Sequence, residues 1–158
     1  MRSITAKPFD PDMQNLLSEI DNGYHAVELS KKDKSELPAE IYLIEEEAEL
    51  VGYAVIWEYK NGKLLIDKAE KDYFDKEDKY LEKDFYIDIK NKTDIILIEV
   101  LDILRPFEGK GYAKFFMNYL KEKYPKKKMY VYTIHKSRNF WFKQDFAVLG
   151  TTNWVTFN

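Results

Sequence analysis

The side chains best suited to chemistry gather between residues 99 and 114. Gly109-Lys110-Gly111 follows a strongly apolar run and precedes a helix-like one, in a chain with only six glycines. A strand, a glycine turn and a helix start together make an anion-binding device. The first N–H groups of a helix lack internal partners, and the helix dipole adds partial positive charge there. Glycine lets the backbone approach a phosphate closely. Lys110 supplies a full positive charge, while Glu108 has the wrong sign for an anion's neighbour. The same three residues also suit a tight strand-to-helix turn with no ligand. Two familiar phosphate loops do not fit: GxxxxGK[ST] is absent, and GxGxxG fails at Lys114.

Carboxylates inside an apolar strand are the second chemical signal. Across residues 93–104, Glu99, Leu101 and Ile103 share one face and Val100, Asp102 and Leu104 the other. A carboxylate there must be satisfied or functional. Glu99 and Asp102 are therefore candidate general bases, or else hydrogen-bonded structural groups. Glu58 is a third candidate and reads as exposed. His135 stands just after a strand expected at 129–134, where it can relay a proton or simply begin a surface loop. His25 has no assigned role. Tyr112 and Tyr132 are possible phenolic acids among twelve tyrosines.

The surrounding periodicities say what positions these groups. A short first strand over 1–7 is followed by a helix from Asp10-Pro11, with Met13, Leu16, Leu17 and Ile20 on one face. Residues 24–38 are polar and leave room for a short second helix. Strands at about 40–46 and 50–59 read as a hairpin, and Asn61-Gly62 reads as a turn. Residues 67–92 are dense in both charge signs and read as a solvated helical excursion anchored by Tyr73, Phe74, Tyr80, Leu81 and Phe85; a disordered loop is the alternative. Residues 93–104 form the strongest strand, apolar on both faces in its first half, as a central strand is. Ala113, Phe116, Met117, Leu120 and Tyr124 then recur at helical spacing. A strand, a short helix with Ser137 as a possible N-cap, and two closing strands around Thr152-Asn153 complete the order. This predicts an α+β fold in α/β/α layers. Its mixed, mostly antiparallel twisted sheet has about six or seven strands, with helices on both faces.

Composition narrows the classes. At 158 residues the chain is expected to be one domain, with hydrophobic residues at 45%, aromatics at 16% and charged residues at 34%. A net charge of −3 does not favour nucleic acid. No cysteine and two histidines leave no basis for a disulfide, a thiolate nucleophile or a zinc site. The opening residues lack the apolar core of a signal peptide, and no apolar run is long enough to span a bilayer. A cytoplasmic protein is expected, monomer or homodimer, with no membrane or nucleic-acid partner.

Two segments together resemble the GNAT family of N-acetyltransferases. Glu108-Gly109-Lys110-Gly111-Tyr112-Ala113 is similar to that family's (Q/R)xxGx(G/A) signature between its fourth strand and the next helix. SRNFWFKQDF, residues 137–146, is similar to its A-x-x-F-Y-x-K-x-G-F segment. Glu108 replaces Gln or Arg, Trp141 replaces a tyrosine, and Asp145 replaces a glycine. The resemblance spans about 40–150 and has no counterpart for the excursion. It implies acetyl-CoA as cosubstrate and an amine as acceptor. It also implies a cofactor site of Leu101, Asp102 and Ile103 on the strand, of Gly109, Lys110, Gly111, Tyr112, Ala113 and Lys114 in the loop, and of Trp141. Lys114, Arg138 and Lys143 are nearer by motif to the 3′-phosphate than Lys126, Lys127 and Lys128 are. Direct acetyl transfer to a small-molecule or protein amine is the function implied. A weak or inactive module that binds acyl-CoA as a sensor or interaction domain is the alternative.

Overall fold

The computed structural model describes residues 4–8, 39–133 and 135–158. The expected helix from Asp10, the possible second helix in 24–38 and His25 lie outside them. Seven strands form one sheet: β1 (Ile4–Pro8), β2 (Glu40–Glu46), β3 (Glu49–Asn61), β4 (Thr93–Ile103), β5 (Lys128–Tyr132), β6 (Ala147–Val148) and β7 (Trp154–Phe157). Their order is β1-β2-β3-β4-β5-β7-β6. The described α-helices are α1 (Gly62–Asp72), α2 (Lys83–Ile89), α3 (Tyr112–Lys123) and α4 (Arg138–Lys143). The β1–β2, β2–β3, β5–β7 and β6–β7 pairs are antiparallel, whereas β4 and β5 run parallel. The expected mixed α+β sheet is therefore present. Contacts divide the chain into two compact units, Met1–Trp57 with Ile98–Pro125 and Glu58–Leu97 with Lys126–Asn158.

In the first unit, β2 and β3 turn through Glu47 and Ala48, at φ 52° and 67°. Two consecutive left-handed residues match the right-handed twist of hairpin strands, here without an Asn-Gly pair. β3 meets the end of β4 where Leu104 N donates to Val51 O at 2.8 Å. A Cβ on Gly52 would lie 2.6 Å from Asp102 O, so glycine permits this close approach. α3 buries Tyr112, Phe116, Met117 and Leu120, a stripe at the helical repeat. Ala113 and Tyr124, expected on that face, are only half-buried.

In the second unit, Asn61 is not a hairpin turn. Its side chain accepts from Leu64 N at 3.1 Å and caps α1. A Cβ on Gly62 would stand 2.0 Å from Ile89 O, so the start of α1 lies tight against the end of α2. The charged excursion is ordered as α1, a 3-10 turn over Lys76–Glu82, and α2. Tyr73, Phe74 and Phe85 anchor it: Phe85 stacks on Trp154 at 4.0 Å, and Tyr73 stacks on Tyr132 at 4.9 Å. Tyr80 and Leu81, also expected as anchors, are 74% and 54% exposed. They point away because the 3-10 turn has three residues per turn and cannot keep an α-helical stripe.

Asp88 knits this unit through Lys128 Nζ at 2.7 Å and Tyr130 Oη at 2.6 Å. Burial pushes its pKa up, but the bonds from Lys128 and Tyr130 and the charges of Lys128 and Lys92 together hold it below the usual value. Ser137 precedes α4 without a side-chain capping bond. At the other end of α4, Phe146 N bonds Trp141 O at 3.0 Å and Asp145 N bonds Phe142 O at 3.1 Å. Asp145 itself sits at φ 68°. This is the left-handed helix termination in which glycine is preferred, and the Phe146 and Trp141 rings close it at 5.1 Å.

Two outcomes are expected. Asp145→Gly relieves the left-handed strain and raises stability by roughly 0.5–1 kcal/mol, or a few degrees in Tm, in a thermal melt. Because the folded pKa of Asp88 is lowered, its stabilisation is present above the unfolded value of about 3.9 and is lost as pH falls through the folded value. Urea unfolding of Asp88→Asn against the unaltered chain should give a gap that is full above about pH 4 and narrows in more acid solution.

Candidate active site

β4 carries the site's residues out of the core. Ile95, Ile96, Leu97 and Ile98 are at most 1% exposed, and Glu99 to Ile103 are half-buried. Leu104 then opens a 3-10 turn, Arg105–Phe107, with Pro106 in its first positions, where a missing N–H costs nothing. Glu108 continues in extended backbone at φ −64° and ψ 149°. Gly109 and Gly111 follow at φ 76° and 90°. L-residues pay roughly 1–2 kcal/mol in this region, so backbone conformation alone accounts for both glycines.

Gly111 is the N-cap of α3. No side chain caps this end, and no acid lies in the first turn. The first helical bond, Phe115 N to Gly111 O at 3.0 Å, leaves the preceding amides for other partners. A Cβ built on either glycine meets nothing within 4 Å among the described residues. The loop therefore presents open backbone at the positive end of a twelve-residue helix. Lys110 is exposed, with Nζ 5.8 Å over the Phe107 ring. Arg105, Glu108 and Lys114 are also exposed, so three cations outnumber the single Glu108 carboxylate. Such an end is suited to an anion.

Tyr112 belongs to this loop through its backbone only. Its side chain is 2% exposed and its hydroxyl donates to Glu46 Oε2, which removes it from the pool of proton donors. The two strand carboxylates stand differently. Glu99 is half-buried, with Oε2 sealed from solvent. Asp102 lies across from Tyr53, as the Val51–Leu104 bond and the Gly52 contact with Asp102 and Ile103 require. Tyr53 was not singled out in the sequence, because its place in an alternating strand marks it as ordinary core. Its ring is fully buried, and its hydroxyl has no hydrogen-bond partner among the described residues. Burial, and then the charge of Asp102, push its pKa up to about 12. Tyr53 therefore keeps its proton beside the Asp102 carboxylate.

Other sequence candidates are committed elsewhere. Glu58 pairs with Lys127 at 2.7 Å, and Lys128 with Asp88, so two of the three consecutive lysines hold protein carboxylates. Arg138 donates to Thr152 O at 3.1 Å and Asn153 Oδ1 at 2.9 Å. Trp141 is 5% exposed, enclosed by Phe140 and Phe146. Tyr132 stacks on Tyr73 and its hydroxyl accepts from Asn153 Nδ2 at 3.4 Å. His135 opens a 3-10 turn, His135–Ser137. Among the described residues, no group of three or more His, Asp or Glu is placed to hold a metal. No described helix is long and apolar enough to cross a membrane.

No family model matches the sequence, and no curated protein matches it. Solved structures do match the fold. The N-acetyltransferase YlbP of Bacillus subtilis, in complex with coenzyme A, superposes with a TM-score of 0.60 at 15% identity, covering 100% of this chain and 97% of its own. A ribosomal-protein-alanine N-acetyltransferase from Brucella melitensis biovar Abortus gives 0.57 at 12%, covering 94% of each chain. A mutant AtaT toxin bound to the C-terminus of its antitoxin AtaR and acetyl-CoA gives 0.55 at 13%, covering 98% and 92%. The chain therefore has the GNAT acyltransferase fold.

Replacing Tyr53 by Phe removes a buried hydroxyl that has no hydrogen-bond partner among the described residues. Stability in chemical denaturation should stay level or rise by up to about 1 kcal/mol. A loss of that size instead would show that the hydroxyl is bonded.

Proposed function

We propose that this chain is an N-acetyltransferase that moves an acetyl group from acetyl-CoA to a primary amine. One observation carries the reading: an open, left-handed glycine loop forms the uncapped N-terminus of α3, one 3-10 turn after the central strand of a GNAT fold. Acetyl-CoA supplies the activated acyl group as a thioester, with a diphosphate as its handle. The amides of Gly109, Lys110, Gly111, Tyr112 and Ala113 hold that diphosphate, with the charges of Lys110 and Lys114 beside it. Glu108, exposed at the mouth, contributes backbone only. The backbone of Leu101, Asp102 and Ile103 lies along the pantetheine arm.

The acceptor arrives as an ammonium and must lose a proton before its nitrogen attacks the carbonyl carbon. The C–N bond forms, the C–S bond breaks and the thiolate departs. Asp102 and Glu99 are the groups on β4 able to take the proton. Tyr53 holds a protonated phenol next to Asp102. Trp141 has no acidic proton to give, so solvent protonates the thiolate. The same burial of Trp141 in an aromatic cluster favours a second reading, a module that binds acyl-CoA without efficient turnover.

Calorimetry with acetyl-CoA, followed by thiol release over a panel of amines, separates the two. Binding with turnover supports the enzyme, binding alone supports the module, and no binding at millimolar ligand overturns both. Gly111→Trp fills the open approach and should abolish binding in a variant whose melt shows it folded. Asp102→Asn or Glu99→Gln should keep binding and lower turnover by about 100-fold or more at the residue that serves as base.

A further inference from the structure

A second feature of the molecule stands outside the glycine loop. The excursion between α1 and α2 frames a cleft of about 450 Å³ within the second unit, closed on its far side by Tyr132 and Asn153. Asp72, Asp75, Asp78 and Glu82 line it, with Lys71 the one cation among the described lining residues. Lys68 neutralises Asp72 at 2.8 Å, and Asp75 and Asp78 remain exposed at the rim.

Glu82 is different from these rim acids. It is 6% exposed, and its Oε2 is buried with no hydrogen-bond partner among the described residues. Burial holds its carboxyl above the usual range. A buried carboxylate oxygen without a donor is costly, and the group that relieves that cost is a ligand N–H carrying positive charge. The wall beside it is aromatic: Tyr73 and Tyr132 stack with their planes 13° apart, and Phe74 lies next to them. Carboxylates alongside aromatic rings favour alkylammonium groups, whose methylenes cover the rings while the charge meets the acids.

The spread of the acids selects the shape of that cation. No set of three carboxylates converges closely enough to hold a metal ion among the described residues. An extended organic cation can instead place one ammonium at Glu82 and another at the Asp75 and Asp78 rim. We propose that this cleft binds a linear aliphatic polyamine, with Glu82 as its buried anchor and the Tyr73–Tyr132 wall covering its methylenes. The assignment rests on the cleft alone and is independent of the acetyl-transfer reading.

Calorimetry on the full chain at low ionic strength, without acetyl-CoA, tests it. The probes are spermidine, n-butylamine and magnesium chloride. Spermidine should saturate a single site, and butylamine should bind more weakly. Magnesium should not saturate over the same range. Glu82→Gln, shown by its melt to be folded, should weaken spermidine about tenfold or more. Asp78→Asn, an exposed change that does not threaten folding, should weaken it several-fold. Absence of spermidine binding at millimolar ligand would overturn the proposal. So would unchanged affinity in folded Glu82→Gln or in Asp78→Asn, or full displacement of spermidine by an equal charge of magnesium.

Discussion

Four consecutive apolar residues, Ile95 to Ile98, set the terms for this molecule. Each is almost fully buried. Successive strand residues point to opposite faces, so such a run demands cover on both sides. That demand places β4 in the middle of the sheet order, with β3 on one side and β5 on the other. The chain can then change character at only one place, where polar residues leave the core from Glu99 onward. The carboxylates, the 3-10 turn and the glycine loop all fall on that exit.

The loop itself shows how backbone conformation and chemistry share residues. Gly109 and Gly111 are required by their positive φ whether or not an anion is bound. Their usefulness to an anion lies in what is missing around them: a Cβ would meet open space, and α3 begins without a capping side chain. Asp145 shows the converse. It occupies a left-handed helix stop where glycine is the easier residue, and short polar side chains tolerate that conformation better than most. A departure from a family pattern is in this case compatible with the same backbone. Glu108 is of the same kind, since its exposed side chain leaves the loop amides accessible.

Much of the architecture was legible because it rests on local periodicity. The hairpin, β4, the stripe of α3 and the closing strands follow from alternation or helical spacing in contiguous residues. The errors share a cause as well. Asn61-Gly62 carries the dipeptide of a turn, yet Asn61 caps a helix, because the neighbour of Gly62 is Ile89, far along the chain. Tyr80 and Leu81 punctuate the charged excursion as apolar residues but lie in a 3-10 turn that exposes them. Tyr112 looked available as an acid, yet its hydroxyl is committed to Glu46, sixty-six residues away in sequence.

By itself the sequence determined most strand and helix types, the centrality of β4 and the location of the glycine loop, all of which depend on neighbours within a few residues. Only the tertiary structure decided which polar groups remain available for chemistry. Lys127, Lys128, Arg138 and Glu58 are tied to partners that no spacing rule reveals. Tyr53 feels the charge of Asp102 on another strand, and Glu82 shares its cleft with Tyr132 and Asn153, fifty or more positions away. Availability depends on burial and on partners distant in sequence, and those are properties of the folded chain.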